Sequence, residues 1–199
     1  MVLDITKIKS YIISLHDATD RRNSMTKLME NNGVEDWSFF DAVDVRDKLP
    51  YWLGVGMSHR EVLVTAKYPC IVYEDDIAPT QWFRKEIKIP KTGIVYLGNS
   101  VWGMRSGQSE VNGVTFEPKD DEYCRVKHMV SAHAIYYPNR VLAMKFSDGI
   151  IKHMFETLRP FDELYAKMQT IYETYCLKQP LFYQRCDRNE TYTNFEVNK

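Results

Sequence analysis

Short runs of β-branched and aromatic residues alternate along the chain with amphipathic stretches. The first run, 11–15, precedes a helical pattern that opens at Thr19 or Asp20 and ends at Gly33, a candidate C-cap. The pattern predicts further strands at 37–40, 70–73, 93–98, 133–137 and 180–184, and helices at 58–67, 139–146 and 161–175. This alternation predicts an α/β fold, a single Rossmann-like domain with a mostly parallel central sheet flanked by helices.

Two polar segments interrupt this rhythm. Residues 104–127 contain glycines and a proline, which predicts a hairpin or a long loop. Residues 187–199 are also polar and are predicted to form a tail that follows a domain of residues 1–186.

Composition narrows the choice of function classes. The 199 residues include 26 Lys and Arg against 27 Asp and Glu, so a protein that coats nucleic acid is not expected. No apolar run is long enough to span a bilayer, and the polar N-terminus does not resemble a signal peptide, which predicts a cytoplasmic protein. Four cysteines without a CxxC pair predict free, mostly buried thiols.

An acidic triplet, Glu74-Asp75-Asp76, follows the apolar run at 70–73. Ligands of open α/β sheets bind beyond the carboxyl ends of the strands. Three carboxylates at such a place repel one another, and a divalent cation with oxygen ligands relieves the repulsion and can hold a diphosphate. The triplet is equally compatible with a solvated turn in which an aspartate caps the next element.

Four other residues are weaker candidates for chemistry. Ser58 is predicted to be a helix N-cap, which puts His59 in a first turn where free amide groups favour anions. His133 stands alone among small residues, and such a histidine is more often part of the core than a ligand. Asp162 is predicted in the first turn of a helix, where an acid is favourable without any catalytic role.

Seven short motifs taken together resemble glycosyltransferase family 25, which includes lipopolysaccharide-core and collagen galactosyltransferases, and they occur in the order of that family. They are Ile-Ile-Ser-Leu at 12–15 with Asp-Arg-Arg at 20–22, Phe-Phe-Asp-Ala-Val-Asp at 39–44, Gly-Met-Ser-His at 56–59, Val-Tyr-Glu-Asp-Asp at 72–76, Val-Tyr-Leu-Gly at 95–98, Ser-Ala-His-Ala-Ile at 131–135 and Pro-Phe-Asp-Glu at 160–163. The chain departs from the family pattern at His16-Asp17 and at Ser131-Ala132.

The resemblance implies a GT-A fold and a metal-dependent, inverting glycosyltransferase. Such an enzyme moves a hexose from a nucleotide sugar, most often a UDP-hexose, to a hydroxyl of a saccharide such as lipopolysaccharide core or of a hydroxylated side chain. The metal would be Mn²⁺ or Mg²⁺. Carried over residue by residue, the family roles are metal contact for Asp76 and Glu74, donor binding for Ser14, Leu15, Arg22, His59, Glu74, Asp75 and His133, and the general base for Asp162.

Three other functions remain open at this point. An acceptor base in DNA would keep the chemistry, with a local basic edge at Lys119, Arg125, Lys127 and His128. A metal-dependent phosphodiesterase or nuclease would need carboxylates from several strands. A binding module could also keep the fold without catalysis.

Overall fold

The computed structural model describes residues 1–100 and 113–185, so the predicted tail at 187–199 and Cys186 lie outside the described part. The strands of this part are β1 Val2–Asp4, β2 Lys9–Ser14, β3 Trp37–Asp41, β4 Cys70–Glu74, β5 Ile77–Pro79, β6 Glu86–Lys88, β7 Ile94–Tyr96, β8 Thr115–Pro118, β9 Tyr123–Lys127, β10 Ala134–Tyr137, β11 Thr174–Leu177 and β12 Phe182–Gln184. Its helices are α1 Thr19–Asn32, α2 Tyr51–Thr65, α3 Arg140–Ser147, α4 Ile150–Thr157 and α5 Phe161–Ile171.

The central sheet has eight strands in the order β3-β2-β4-β10-β7-β11-β9-β8. The pairs β3-β2, β2-β4 and β7-β11 are parallel, and the other four pairs are antiparallel. The α/β class is therefore confirmed, whereas the predicted mostly parallel sheet is wrong, because the sheet is mixed. A strand buried on both faces shows the same continuous apolar run in either direction, so the sequence pattern does not reveal that β10 runs against its neighbours.

Hydrophobic clusters cover both faces of this sheet, and the alternation of side chains along β4 divides the core between them. Val72 belongs to the cluster that includes Met154 and Tyr165 from α4 and α5, whereas Ile71 packs with Met29 of α1. Helices thus flank the sheet, as predicted.

The start of α2 differs from the prediction in a way that changes the candidate site. The helix begins at Tyr51 and not at Ser58, and its first two turns include Gly54 and Gly56. Gly54 is required there because an added Cβ would lie 2.7 Å from the carbonyl oxygen of Val43. Ser58 is therefore not an N-cap: its Oγ donates to the Gly54 carbonyl at 2.6 Å and accepts from the Val43 amide at 2.8 Å.

Other predicted elements agree more closely. Gly33 ends α1 with a φ of 69°, and Asn139 caps α3 by accepting from the Leu142 amide. The predicted hairpin is confirmed for its described part, β8 and β9. The helix predicted through 175 instead ends at Ile171, because the following residues form β11 between β7 and β9, and α4 was not predicted.

The cysteines and the helices bear on the predicted compartment. Cys70, Cys124 and Cys176 are free and buried, as predicted for the cysteines of the described part. Among the described residues, no helix is long and apolar enough to cross a membrane.

Candidate functional site

A cleft of about 1170 Å³ lies at the carboxyl ends of β2 and β4. Segments distant in the sequence meet there, including Ser14 and Leu15, the acidic triplet, and the first turns of α2 and α5. Its charged side chains are seven carboxylates and three guanidinium groups, namely Asp44, Asp47, Glu74, Asp75, Asp76, Asp162 and Glu163 with Arg21, Arg46 and Arg159. The described wall is therefore acidic, although the chain as a whole is almost neutral.

The register of β2 and β4 determines how the triplet meets the first strand. Ile13 pairs with Glu74, so the next residues along the parallel strands, Ser14 and Asp75, are also neighbours. Ser14 Oγ donates to Asp75 Oδ2 at 2.7 Å, and Arg21 Nη1 donates to Asp75 Oδ1 at 2.9 Å. Asp75 thus uses both oxygens to join β2, α1 and β4, which makes it a supporting residue of the site.

Glu74 is oriented by two side chains from distant elements. His59 Nε2 lies 3.0 Å from Glu74 Oε1, and Gln184 Nε2 donates to Glu74 Oε2 at 3.2 Å. Burial works most strongly against ionisation, but the hydrogen bond from His59 and the charges of His59, His133 and Arg21 lower the pKa of Glu74. This carboxylate is therefore ionised and fixed in place at neutral pH.

Asp76 has the least satisfied carboxylate of the triplet. Gln184 donates to its Oδ2 at 3.1 Å, whereas its Oδ1 is buried without a hydrogen-bond partner in the described part of the chain. Burial, and then the charge of Glu74, raise the pKa of Asp76. A proton or a cation at Oδ1 would remove this electrostatic penalty.

These carboxylates fit a divalent cation that arrives with a ligand. Within residues 1–100 and 113–185, no group of three or more His, Cys, Asp or Glu side chains is arranged to hold a metal ion by itself. Mg²⁺ and similar hard ions are commonly bound by one or two carboxylates, with substrate phosphates completing the coordination. The orphaned Asp76 Oδ1 and the neighbouring Glu74 provide such a partial donor set.

Asp162 reaches the same cleft from the opposite end of the chain. It is the second residue of α5, and the preceding Phe161 stacks on His59 with ring centroids 4.5 Å apart. Asp162 Oδ1 is buried and has no hydrogen-bond partner among the described residues. Burial, followed by the charges of Glu74 and Glu163, raises the pKa of Asp162 to about 7, which suits a general base at neutral pH.

Three of the residues expected to bind the donor do not line the cleft: Arg22, His59 and His133. Arg22 donates to the carbonyls of Ser14 and Leu15 at 3.0 Å and pairs with Asp41, so it holds the end of β2 in place. Ser14 and Leu15 themselves line the cleft.

Both histidines lie behind the wall. His59 is fully buried inside α2, so its predicted position at a helix N-terminus is wrong. Its ring lies against Glu74 and Phe161. His133 Nδ1 lies 2.7 Å from Ser131 Oγ, and its ring packs against Gly98, where a Cβ would collide with it. Burial lowers the pKa of His133, and the charge of Glu74 opposes this shift.

Gln184 is a member of the site that sequence reasoning missed. It reaches Asp76 because β12 pairs with β5 in an antiparallel register that sets Gln184 opposite Ile77. A single glutamine far along the chain carries no local signal, and only the pairing of the two short strands brings it to the triplet.

The cations of the basic edge considered for DNA binding already have partners within the chain. Lys119 and Lys127 lie 3.6 and 2.9 Å from carboxylate oxygens of Glu117. Arg125 donates to the carbonyls of Gln169 and Tyr172 at 3.2 and 2.7 Å. These side chains therefore do not form a row of unpaired cations for phosphates.

Comparison of the chain with models of known protein families gives no match, and comparison with curated proteins also gives none. The resemblance to family 25 glycosyltransferases thus rests on the seven motifs, six of which supply residues to the wall of the cleft.

Proposed function

We propose that the protein is a metal-dependent, inverting glycosyltransferase of the GT-A type that moves a hexose from a nucleotide sugar to a hydroxyl group. The observation that supports this most is the meeting of Asp76 and Asp162 in one cleft. Each has a buried oxygen without a hydrogen-bond partner among the described residues. We assign a cation to the carboxylate of Asp76 and a proton to the carboxylate of Asp162.

The acidity of the wall argues for the first role. A nucleoside diphosphate is anionic and would be repelled by seven carboxylates facing three guanidinium groups. A divalent cation such as Mn²⁺ or Mg²⁺ held by Asp76 and Glu74 would remove this repulsion and stabilise charge that develops on the departing diphosphate. Ser14, Leu15 and Arg21 line the cleft beside Asp75 and would contact the nucleotide.

Asp162 supports the second role. As the acceptor oxygen bonds to the anomeric carbon, the bond from that carbon to the diphosphate oxygen breaks, and its electron pair leaves with the diphosphate. The acceptor proton passes to the Asp162 carboxylate, whose raised pKa suits it to receive one. Attack on the face opposite the leaving group inverts the anomeric centre.

The test is hydrolysis of nucleotide sugars, a reaction that needs no knowledge of the acceptor. A thermal-shift screen with Mn²⁺ identifies the donor first, because a ligand at 100 times its Kd stabilises by about 2.7 kcal/mol. Asp76→Ala should abolish metal-dependent hydrolysis of that donor. Asp162→Asn should reduce turnover by a factor of about 10² to 10⁴ with little change in donor affinity. Turnover near wild type in Asp162→Asn would show that another group is the base.

The alternative functions receive less support. An acidic cleft, and lysines that are paired with Glu117, do not favour a DNA acceptor. A two-metal nuclease needs several carboxylates around each ion, and the described residues contain no ligand group of that size. Loss of donor hydrolysis in Asp76→Ala separates an enzyme from a binding module.

A further inference from the structure

An apolar shelf borders the cleft at the start of α2, formed by Leu49, Tyr51 and Trp52. Tyr51 is 79% exposed and Leu49 is 47% exposed, and all three side chains line the cleft. Adjacent apolar side chains that are exposed at the wall of a cleft offer a surface that a ligand can cover. None of the roles considered above uses this shelf.

Helical geometry directs part of the shelf towards Asp162. Trp52, Val55 and His59 are three and four residues apart, so they share one face of α2. His59 on this face stacks on Phe161, the residue before Asp162. Trp52 therefore lies along the same side of α2 that meets the start of α5, and a molecule resting on the shelf would have one end near the candidate base.

The charges around the shelf restrict what it can hold. Arg46 donates to Asp44 at 2.6 and 2.9 Å and to Asp17 at 2.9 Å, so its guanidinium group is already paired with carboxylates. Arg159 is likewise within 3.3 Å of Glu163. A phosphate or a carboxylate at this wall would have to compete with these partners and would face Asp47 as well.

We infer that the shelf is the acceptor subsite and that it binds an uncharged pyranose. The C–H groups on one face of a pyranose ring carry partial positive charge and pack on the electron-rich face of an aromatic side chain. The ring hydroxyls would find hydrogen-bond partners in the polar rim of Asp44, Arg46 and Asp47. This inference rests on the proposed function and defines its acceptor class as an uncharged saccharide.

Saturation-transfer NMR with the full chain tests the shelf without turnover. The probes are methyl glucopyranoside and methyl galactopyranoside, with glucose 6-phosphate as the charged counterpart. Tyr51→Ala should weaken glycoside binding by about tenfold, whereas Tyr51→Phe, which keeps the ring, should remain within about threefold of wild type. Phe155→Ala is the matched control, because Phe155 is 56% exposed and does not line the cleft.

The affinity for UDP with Mn²⁺ is measured on the same samples. Unchanged UDP affinity in Tyr51→Ala, together with weaker glycoside binding, supports an acceptor subsite. The inference is overturned if the wild type binds neither glycoside, if Tyr51→Ala binds them normally, if UDP affinity falls as much as glycoside affinity, or if glucose 6-phosphate binds more tightly. Donor hydrolysis by the wild type reports separately on the proposed function, so failure of the subsite and failure of the enzyme are distinguishable.

Discussion

Replacing Asp162 with asparagine tests whether the buried carboxylate of Asp162 lowers the free energy of unfolding. Burial and the charges of Glu74 and Glu163 raise the pKa of Asp162 from 3.8 to about 7. Between these two values the folded protein keeps the proton while the unfolded chain has already released it. The contribution of this residue to the free energy of unfolding therefore falls as the pH rises through this interval and is lowest above pH 7.

The ordinary and the raised pKa of Asp162 give the size of the change in the free energy of unfolding. The difference between 3.8 and about 7, at about 1.4 kcal/mol for each pH unit, is roughly 4 kcal/mol. An asparagine side chain cannot ionise and has nearly the shape of the acid. We therefore expect Asp162→Asn to raise the free energy of unfolding above pH 7.5 by up to about 4 kcal/mol, and to change it little near pH 4.

Urea unfolding followed by tryptophan fluorescence at pH 4.5, 6 and 8 measures this difference. Asp20→Asn is the matched control, because Asp20 is the second residue of α1 as Asp162 is of α5, but it is exposed. Loss of a favourable acid at an exposed helix start should lower stability by about 0.3–1 kcal/mol at pH 8. The two substitutions thus have opposite expected signs.

Two results would refute a raised pKa of Asp162. In the first, Asp162→Asn lowers stability at pH 8 as Asp20→Asn does, and in the second, its effect on stability is the same at pH 4.5 and pH 8. Either result would mean that Asp162 titrates near its ordinary value. If Asp162→Asn is instead more stable than the wild type and has lost turnover, the carboxylate of Asp162 destabilises the fold and is needed for the reaction.

Three further substitutions test the support of the site. Asp76→Ala should weaken Mn²⁺ binding, measured by electron paramagnetic resonance, by more than about 100-fold because it removes the orphaned carboxylate. Gln184→Glu replaces an amide donor between Glu74 and Asp76 with a third carboxylate, so it should lower stability at pH 8 by about 1–3 kcal/mol, and millimolar Mn²⁺ should restore the melting temperature. Gly54→Ala should destabilise by about 1–3 kcal/mol in urea unfolding despite better helix propensity, because its Cβ meets the Val43 carbonyl oxygen at 2.7 Å.

Each of these three predictions has a result that would contradict it. Unchanged Mn²⁺ affinity in Asp76→Ala would remove that residue from the metal site, and a stable Gln184→Glu would show that its carboxylate escapes to solvent. Gly56→Ala is the control for Gly54, because the nearest side chain there is Met154, which is flexible and can move aside. Equal costs at the two glycines would contradict the argument from the Val43 carbonyl.

Local sequence signals are sufficient where a residue's role depends on its immediate neighbours. The αL position of Gly33 and the cap at Asn139 follow from the intrinsic preferences of glycine and asparagine at helix ends. The acidic triplet is recognisable because it directly follows four apolar residues of a buried strand, and the strand itself ends at Glu74. Gly54 misleads the prediction, because glycine disfavours a helix locally and only the close approach of the 42–45 segment explains its presence in α2.

The α/β class, the three carboxylates at the end of β4 and the acid at the start of α5 are therefore recognisable without the structure. Three other features depend on the tertiary structure. They are the direction of β10, the burial of His59 and His133 behind the cleft wall, and the position of Gln184 between Glu74 and Asp76. The physical reason is the range of the forces concerned. Propensity and capping act within a few residues, whereas strand pairing, burial and the resulting pKa of Asp162 depend on residues far apart in the chain.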